Sequence, residues 1–138
     1  MLTVEDLGEA LYKSLSLRTK ETDLRLIYER LALNELKTAK CIQQEILATG
    51  MKRGVLVNRL ALYFTKIICK MLTARQIGWI LKSAINRKVY SKWYNRYKNS
   101  NQDFWDQLLS HENLQLELLK PVWNREKRRC DNEGKGFF

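Results

Sequence analysis

The stretch Leu31–Ala39, "LALNELKTA", places a glutamate in the middle of an apolar helical stripe, and Leu108–Leu116, "LLSHENLQL", repeats the arrangement. In each stretch a polar residue follows the glutamate three positions later: Thr38 follows Glu35, and Gln115 follows Glu112. A carboxylate that faces a helical core must be paired, protonated or bound to a cation. The repeat therefore predicts a polar site inside a helical protein.

Long amphipathic segments surround the two stretches. The 138 residues include only one proline and six glycines, which favours long helices over many short strands. Thr3 is the predicted cap of a first helix that ends near Leu17. Thr22 or Asp23 caps a second helix, which ends near Gly50. These helices form the first predicted hairpin.

The sequence after Gly50 predicts a crossover and a second hairpin. Residues 55–81 are amphipathic and helical, with a division near Thr73. A third main helix then runs to about Tyr97, with one stripe formed by Ile77, Ile80, Leu81, Ala84, Arg87, Ser91 and Tyr94. The polar turn "KNSNQD" precedes a fourth helix capped by Asn101 or Asp103.

The predicted architecture is one all-α domain, a four-helix bundle of two hairpins. The domain covers residues 1–123, and its long amphipathic crossover covers residues 51–76. Pro121 must kink or restart the fourth helix. Residues 124–138 form a predicted flexible, basic tail.

The net charge of +10 is concentrated in the middle of the chain. Residues 46–102 contain no Asp or Glu and twelve Lys or Arg, whereas the rest has 13 basic and 15 acidic residues. This distribution predicts an anionic partner for the middle segment. The three cysteines lack CxxC spacing, and neither a signal peptide nor a spanning segment is evident, so we expect a cytoplasmic protein without a zinc site.

One stripe position on each main helix is polar or charged: Glu5, Glu35, Arg87 and Glu112. Together with the aromatic residues Tyr12 and Tyr94, seven positions after Glu5 and Arg87, this pattern resembles the ferritin-like superfamily, particularly its rubrerythrin-type members. The similarity covers roughly residues 3–119. The resemblance implies a ferritin-like bundle with a di-metal site formed by a Glu from two helices and Glu-x-x-His from the other two.

The chain matches only some of the metal-ligand positions that the resemblance implies. Glu5, Glu35 and Glu112 match ligand positions, whereas Thr38 and Gln115 replace the two histidines and Arg87 replaces a glutamate. A guanidinium is permanently charged, repels metal ions and is suited to bridging carboxylates. We therefore predict that Arg87 forms an internal charge cluster with these glutamates and that no metal cofactor is bound.

Two alternatives remain open at this point. The polar stripe residues can lie at helix edges and extend to water. Alternatively, iron or manganese still binds, with Glu35, Glu112 and Gln115 as ligands and with Glu9 substituting for Glu5 on nearly the same side of the first helix. His111, the single histidine, precedes Glu112 and is expected to point about 100° away from it.

The crossover has a broad apolar face and a narrow cationic strip. Arg59, Lys66 and Lys70 fall within about 40° of one another on a helical wheel, and Arg75 and Trp79 follow. Such a segment packs on its own bundle, on a protein partner or second copy of the chain, or on an anionic membrane surface. Demethoxyubiquinone hydroxylases, to which the chain is also similar, are ferritin-like proteins of membrane surfaces. Nucleic acid is a third option, since "RKVYSKWYNRYK" interleaves cations and aromatic rings.

The predicted function is that of a non-enzymatic ferritin-like scaffold or binding protein that acts through its surface, either in the cytoplasm or at the inner face of a membrane. The alternative is a residual metal-binding oxidoreductase of the rubrerythrin or hydroxylase type. One histidine and the absence of a Gly-rich phosphate loop leave few other catalytic chemistries.

Overall fold

The computed structural model describes residues 4–50 and 55–134, and side chains over residues 6–50 and 63–134. This part of the chain is all-helical, which confirms the predicted all-α class. Its six helices are α1 (Val4–Arg18), α2 (Thr22–Ala48), α3 (Val55–Met71), α4 (Ala74–Asn86), α5 (Val89–Tyr97) and α6 (Gln102–Asn132).

The first hairpin follows the prediction closely. A three-residue connection joins α1 to α2, and these two helices share the most extensive contact in the described chain. Their core contains the apolar residues at helical spacing, among them Leu11, Leu15 and Leu31. Tyr12 is fully buried and its ring lies 6.5 Å from that of Tyr28.

The remaining helices close around this hairpin. Helix α4 packs against α1 and α6, and α6 in turn packs against α2, so the four helices contact one another in a ring. Ile77, Leu81 and Ile85 are the buried residues of α4. Helix α3 packs against α1, and α5 packs against α6.

The predicted division near Thr73 is present as a helix start. The Thr73 hydroxyl accepts a hydrogen bond from the Gln76 amide, and the Gln76 side chain accepts one from the Thr73 amide. This reciprocal capping box gives α4 an N-terminus of its own. Asn101 caps α6 as predicted, since its side-chain oxygen accepts from the Phe104 amide at 3.2 Å.

Two predicted boundaries differ from the structure. The third main helix is not continuous to Tyr97, because it stops at Asn86 and restarts at Val89. Lys88, between the two pieces, has a left-handed backbone with φ of 47°. Helix α6 continues through Pro121 to Asn132, so residues 124–132 of the predicted flexible tail are helical. Residues 135–138 of that tail lie outside the described part of the chain.

Arg18 connects the end of α1 to the end of α3. Its guanidinium donates hydrogen bonds to the backbone carbonyls of Cys69 and Leu72, and the Ser14 hydroxyl donates to the Cys69 carbonyl at 3.4 Å. The last carbonyls of a helix have no partner within the helix and carry partial negative charge. A cation at this place therefore both satisfies the carbonyls and complements the helix dipole.

We predict that Arg18→Ala lowers the free energy of unfolding by about 1–2 kcal/mol, because two charge-assisted hydrogen bonds are lost. Urea denaturation followed by circular dichroism measures this change. The control is Arg25→Ala, which removes an exposed pair with 3.8 Å between Arg25 Nε and Glu29 Oε1. That variant should change stability by less than about 0.5 kcal/mol. Equal effects of the two substitutions would contradict the proposed role of Arg18.

Candidate functional site

Glu35 lies at the centre of a buried polar cluster between α1, α2 and α6. The Gln115 side-chain amide donates to Glu35 Oε1 at 2.5 Å, and His111 Nε2 lies 3.6 Å from Glu35 Oε2. All three residues are at most 7% exposed. The repeated stretches identified in the sequence are thus brought together, with the carboxylate of one contacting the amide of the other.

His111 is oriented by two donors from α2. Its Nδ1 lies 2.8 Å from Asn34 Nδ2 and 2.9 Å from the Thr38 hydroxyl. Burial lowers the pKa of His111 to about 4, so the ring is neutral near neutral pH. Because Nδ1 accepts from these donors, the ring proton is on Nε2, which faces Glu35.

Gly8 allows the Glu35 carboxylate to lie against the backbone of α1. A Cβ atom at this position would be 2.6 Å from Glu35 Cδ and less than 3 Å from both carboxylate oxygens. A methyl group is too large for that space, so the carboxylate would have to move away from Gln115 and His111. The close approach thus depends on the missing side chain of Gly8.

Tyr12 borders the same cluster. Burial raises the pKa of the Tyr12 phenol, and the negative charge of Glu35 raises it further. Within the described chain the Tyr12 hydroxyl has no hydrogen-bond partner. A buried hydroxyl without a partner usually costs 1–3 kcal/mol, roughly, so this position is destabilised by its polar atom.

Glu112, the second inward carboxylate, faces α5. Its oxygens accept from the backbone amides of Tyr90 at 3.0 Å and Ser91 at 3.2 Å, and from the Ser91 hydroxyl. These amides belong to the first turn of α5, where they have no helical acceptor. Glu112, on the neighbouring helix α6, therefore acts as an N-terminal cap for α5. A negative charge at this end of α5 also interacts favourably with its helix dipole.

The predicted internal cluster around Arg87 is wrong. Arg87 is exposed and forms the C-terminal cap of α4, beside the left-handed Lys88. The prediction assumed one continuous helix, whereas the break between α4 and α5 changes the direction in which position 87 faces. Glu35 and Glu112 are instead satisfied by neutral donors, namely an amide side chain, backbone amides and a hydroxyl.

The other predicted ligand positions do not form a metal centre in the described chain. Thr38 is hydrogen-bonded to His111, and the Glu9 carboxylate pairs with Lys13 at 2.5 Å. No group of three or more His, Cys, Asp and Glu side chains over residues 6–50 and 63–134 is suitably placed for a metal ion. The side chain of Glu5 lies outside these residues. Both oxygens of Glu112 accept hydrogen bonds from the start of α5. The described residues therefore do not fit a di-metal site.

His111 was not recognised as a site residue from the sequence, although its spacing was informative. It lies three positions after Leu108 and four before Gln115, which places it on the buried stripe of α6. Asn34 and Thr38, four residues apart on α2, are the matching signal on the opposite helix. Polar residues at helical spacing on both helices are thus a sequence signal for a buried polar cluster between α2 and α6.

A cavity of about 530 Å³ opens beside this cluster. Glu35, His111, Glu112 and Gln115 form its polar side. The other lining residues are mostly apolar or aromatic and come from α1, α2, α4, α5 and α6: Leu7, Gly8, Leu11, Ile42, Ile80, Leu81, Ala84, Ile85, Val89, Tyr90, Trp93, Phe104, Trp105 and Leu108. A concave apolar site with a few convergent polar groups has the character of a small-molecule site.

The aromatic residues of α5 are mostly engaged with α6. The Tyr97 ring stacks on Trp105 at 5.6 Å, the Tyr94 hydroxyl donates to Asp106 at 2.7 Å, and the Tyr90 ring lies 6.0 Å from the His111 ring. Trp93 lines the cavity and is 50% exposed. These contacts reduce the stacking surface that the segment offers to nucleic acid bases.

The predicted surface residues lie mainly on α3 and α4. Lys66, Lys70, Arg75 and Trp79 are exposed, and the side chain of Arg59 lies outside the described residues. None of the helices in the described ranges combines the length and the apolar character needed to cross a membrane.

Comparison of the chain with protein-family models, with curated proteins and with solved structures finds no match. The ferritin-like relationship therefore stays a prediction.

We predict that Glu112→Ala lowers the free energy of unfolding by about 2 kcal/mol, since the first amides of α5 lose their acceptor. Arg87→Ala should change it by less than about 0.5 kcal/mol, because the side chain is exposed. Thermal or urea unfolding of both variants measures the difference. A larger loss for Arg87→Ala than for Glu112→Ala would instead support an internal role for Arg87.

The lowered pKa of His111 predicts a loss of stability in acid. Between the folded pKa of about 4 and the ordinary value of 6.5, the unfolded chain binds the proton and the folded chain does not. Stability therefore rises with pH across this interval, and about 2–3 kcal/mol is lost on going from neutral pH to about pH 4.

Urea unfolding at several pH values tests this sign for the native chain and for His111→Gln, which does not titrate. The native chain should lose more stability than His111→Gln as the pH falls from about 6.5 to 4. Parallel pH profiles of the two proteins would show that His111 is not the responsible group.

Proposed function

We propose that the protein is a non-catalytic, ferritin-like binding protein that attaches to an anionic membrane surface through α3. The ring of contacts between α1, α2, α4 and α6 supports the bundle architecture. The hydrogen bond between Glu35 and Gln115 supports the pairing of the two repeated stretches. The resemblance to the ferritin-like superfamily explains this arrangement as a metal site that has been replaced by hydrogen bonds.

The exposed face of α3 is the single observation that carries the membrane proposal. Tyr63, Phe64, Ile68 and Met71 are between 51% and 78% exposed, and Ile67 is 37% exposed. Over residues 63–71, where the side chains of this helix are described, Thr65 and Cys69 are the buried ones, and the helix packs against α1. Over residues 63–71, α3 thus directs two small side chains to the protein and its large apolar side chains to the outside.

The charge of the same surface indicates its partner. Lys66 and Lys70 are exposed on α3, beside Tyr63 and Ile67 at helical spacing. The residues from 46 to 102 contain no acidic side chain, so no carboxylate of this segment opposes an anionic surface. Each Lys near an anionic bilayer contributes about 1 kcal/mol, and apolar side chains enter the headgroup boundary. The proposed location is the cytoplasmic face of a membrane, where anionic lipids are enriched.

The alternative function, a residual metal-binding oxidoreductase, has weaker support. Glu35 and His111 are the described groups that approach each other closely enough to share an ion, with 3.6 Å between Oε2 and Nε2. A stable protein site usually supplies three or four ligands. Iron or manganese retained in stoichiometric amount by purified protein would favour this alternative over the non-catalytic proposal.

We predict that the protein floats with liposomes that contain phosphatidylserine and remains in the dense fraction with phosphatidylcholine alone. Ile67→Glu should abolish flotation, because it places an anion on the apolar face. The double variant Lys66→Gln and Lys70→Gln should reduce flotation on anionic liposomes about tenfold or more, since two cations are lost. Flotation on a density gradient with quantified protein measures both effects.

The control is Leu33→Glu, which changes an exposed leucine on α2, 59% accessible against 37% for Ile67, and should float like the native chain. Circular dichroism verifies that all variants are folded. Flotation that is independent of anionic lipid would contradict the charge argument. A stable dimer in solution that Ile67→Glu converts to a monomer, together with absent lipid binding, would assign the face to a second copy instead.

A further inference from the structure

The polar side of the cavity beside Glu35 has its hydrogen-bond partners within the protein. The Gln115 amide donates to Glu35, and two side chains of α2 hold the His111 ring through its Nδ1. Glu112 accepts from the first turn of α5. A ligand that forms new hydrogen bonds on this side competes with these contacts, so the polar side gives a polar ligand little advantage.

The cavity also disfavours a charged ligand of either sign. None of the described residues that line it is Lys or Arg, so an anionic ligand meets no cation among them. The lining carboxylates of Glu35 and Glu112 are already engaged with protein donors, and an ammonium group would have to compete with those donors. A charged group that leaves water without a new partner costs free energy. The lining therefore selects for a neutral ligand.

Aromatic rings form a large part of the remaining lining. The four aromatic lining residues are Tyr90, Trp93, Phe104 and Trp105. The Trp105 ring stacks on Tyr97 at 5.6 Å and meets the Phe104 ring edge-on at 5.4 Å, so both lining rings are held in place before a ligand arrives. Pre-organised rings bind a flat apolar molecule at a low entropic cost. The volume of about 530 Å³ is that of a small-molecule site.

We propose that this cavity binds a neutral, flat, aromatic small molecule, which is held by stacking and apolar burial between α4, α5 and α6. The ligand replaces water against the aromatic rings and leaves the hydrogen bonds of the polar side intact. This inference is separate from membrane attachment, because no described residue of α3 lines the cavity. The two proposals therefore fail or succeed independently.

Fluorescence titration with two probes of the same skeleton tests the proposal. N-phenyl-1-naphthylamine is neutral, and 8-anilinonaphthalene-1-sulfonate adds one negative charge. The reference protein is the full chain with Ile67→Glu, because the exposed apolar face of α3 lies beside Lys66 and Lys70 and would otherwise bind the sulfonate. We expect the neutral probe to bind this chain at least about tenfold more tightly than the sulfonate. Attraction to the net charge of +10 would produce the opposite order.

Variants in the reference chain locate the site. Trp93 lines the cavity and is 50% exposed, and Trp93→Ala should weaken the neutral probe at least about fivefold by removing a stacking ring. The matched control is Trp79→Ala, which changes a 55% exposed tryptophan of α4 that does not line the cavity, and its affinity should stay within about twofold. Phe104→Leu keeps an apolar side chain but removes a second lining ring, and it should weaken the probe at least about threefold. Circular dichroism verifies folding.

Several outcomes would overturn the inference. Equal or tighter binding of the sulfonate to the reference chain would show that the cavity does not select a neutral ligand. Binding of the neutral probe to the native chain that Ile67→Glu abolishes would assign it to the face of α3. Equal effects of Trp93→Ala and Trp79→Ala, or no saturable binding of the neutral probe, would show that the cavity is not its site. If Trp93→Ala does not fold, unchanged binding by Phe104→Leu overturns the location, and weakened binding supports it.

Discussion

The organisation of this protein depends on how two carboxylates are satisfied inside a helical core. Glu35 and Glu112 are each only 4% exposed, and a buried carboxylate without partners is too costly to retain. Neither is paired with Arg87. Neutral groups perform the task instead: the Gln115 amide for Glu35, and the first amides of α5 for Glu112. Hydrogen bonds from correctly placed neutral donors replace those that a carboxylate loses when it leaves water.

The hydrogen bonds that satisfy these two carboxylates constrain the backbone at two places. Glu112 needs free amides, and these exist only where a helix begins, so the chain between α4 and α5 must break. The break places Lys88 in a left-handed conformation and directs Arg87 to the outside. Glu35 in turn requires Gly8, because a side chain there would occupy the space of its carboxylate. The cavity lies where α4, α5 and the polar cluster meet, and it follows from the same break.

The orientation of α3 is a second consequence of packing. Thr65 and Cys69 contact the bundle, and Arg18 binds the carbonyls at the end of the helix. The large apolar residues between Tyr63 and Met71 are left on the outside, although a crossover in a bundle commonly buries such residues against it. An apolar face that stays exposed is typical of an interaction surface. The polar interior and this outer face are therefore two separate features of the described chain, and the outer face is the one that we propose as a binding surface.

Sequence alone determined the all-α class, the first hairpin, the starts of α4 and α6, and the inward positions of Glu35 and Gln115. These features depend on helical spacing and on caps within a few residues, which are local properties. The break at Lys88, the outward Arg87 and the inward His111 were decided by tertiary structure. Each depends on partners distant in the chain: Glu112 supplies the acceptor for α5, and Asn34 and Thr38 hold His111. Periodicity contains no information about such partners, because it describes one helix at a time.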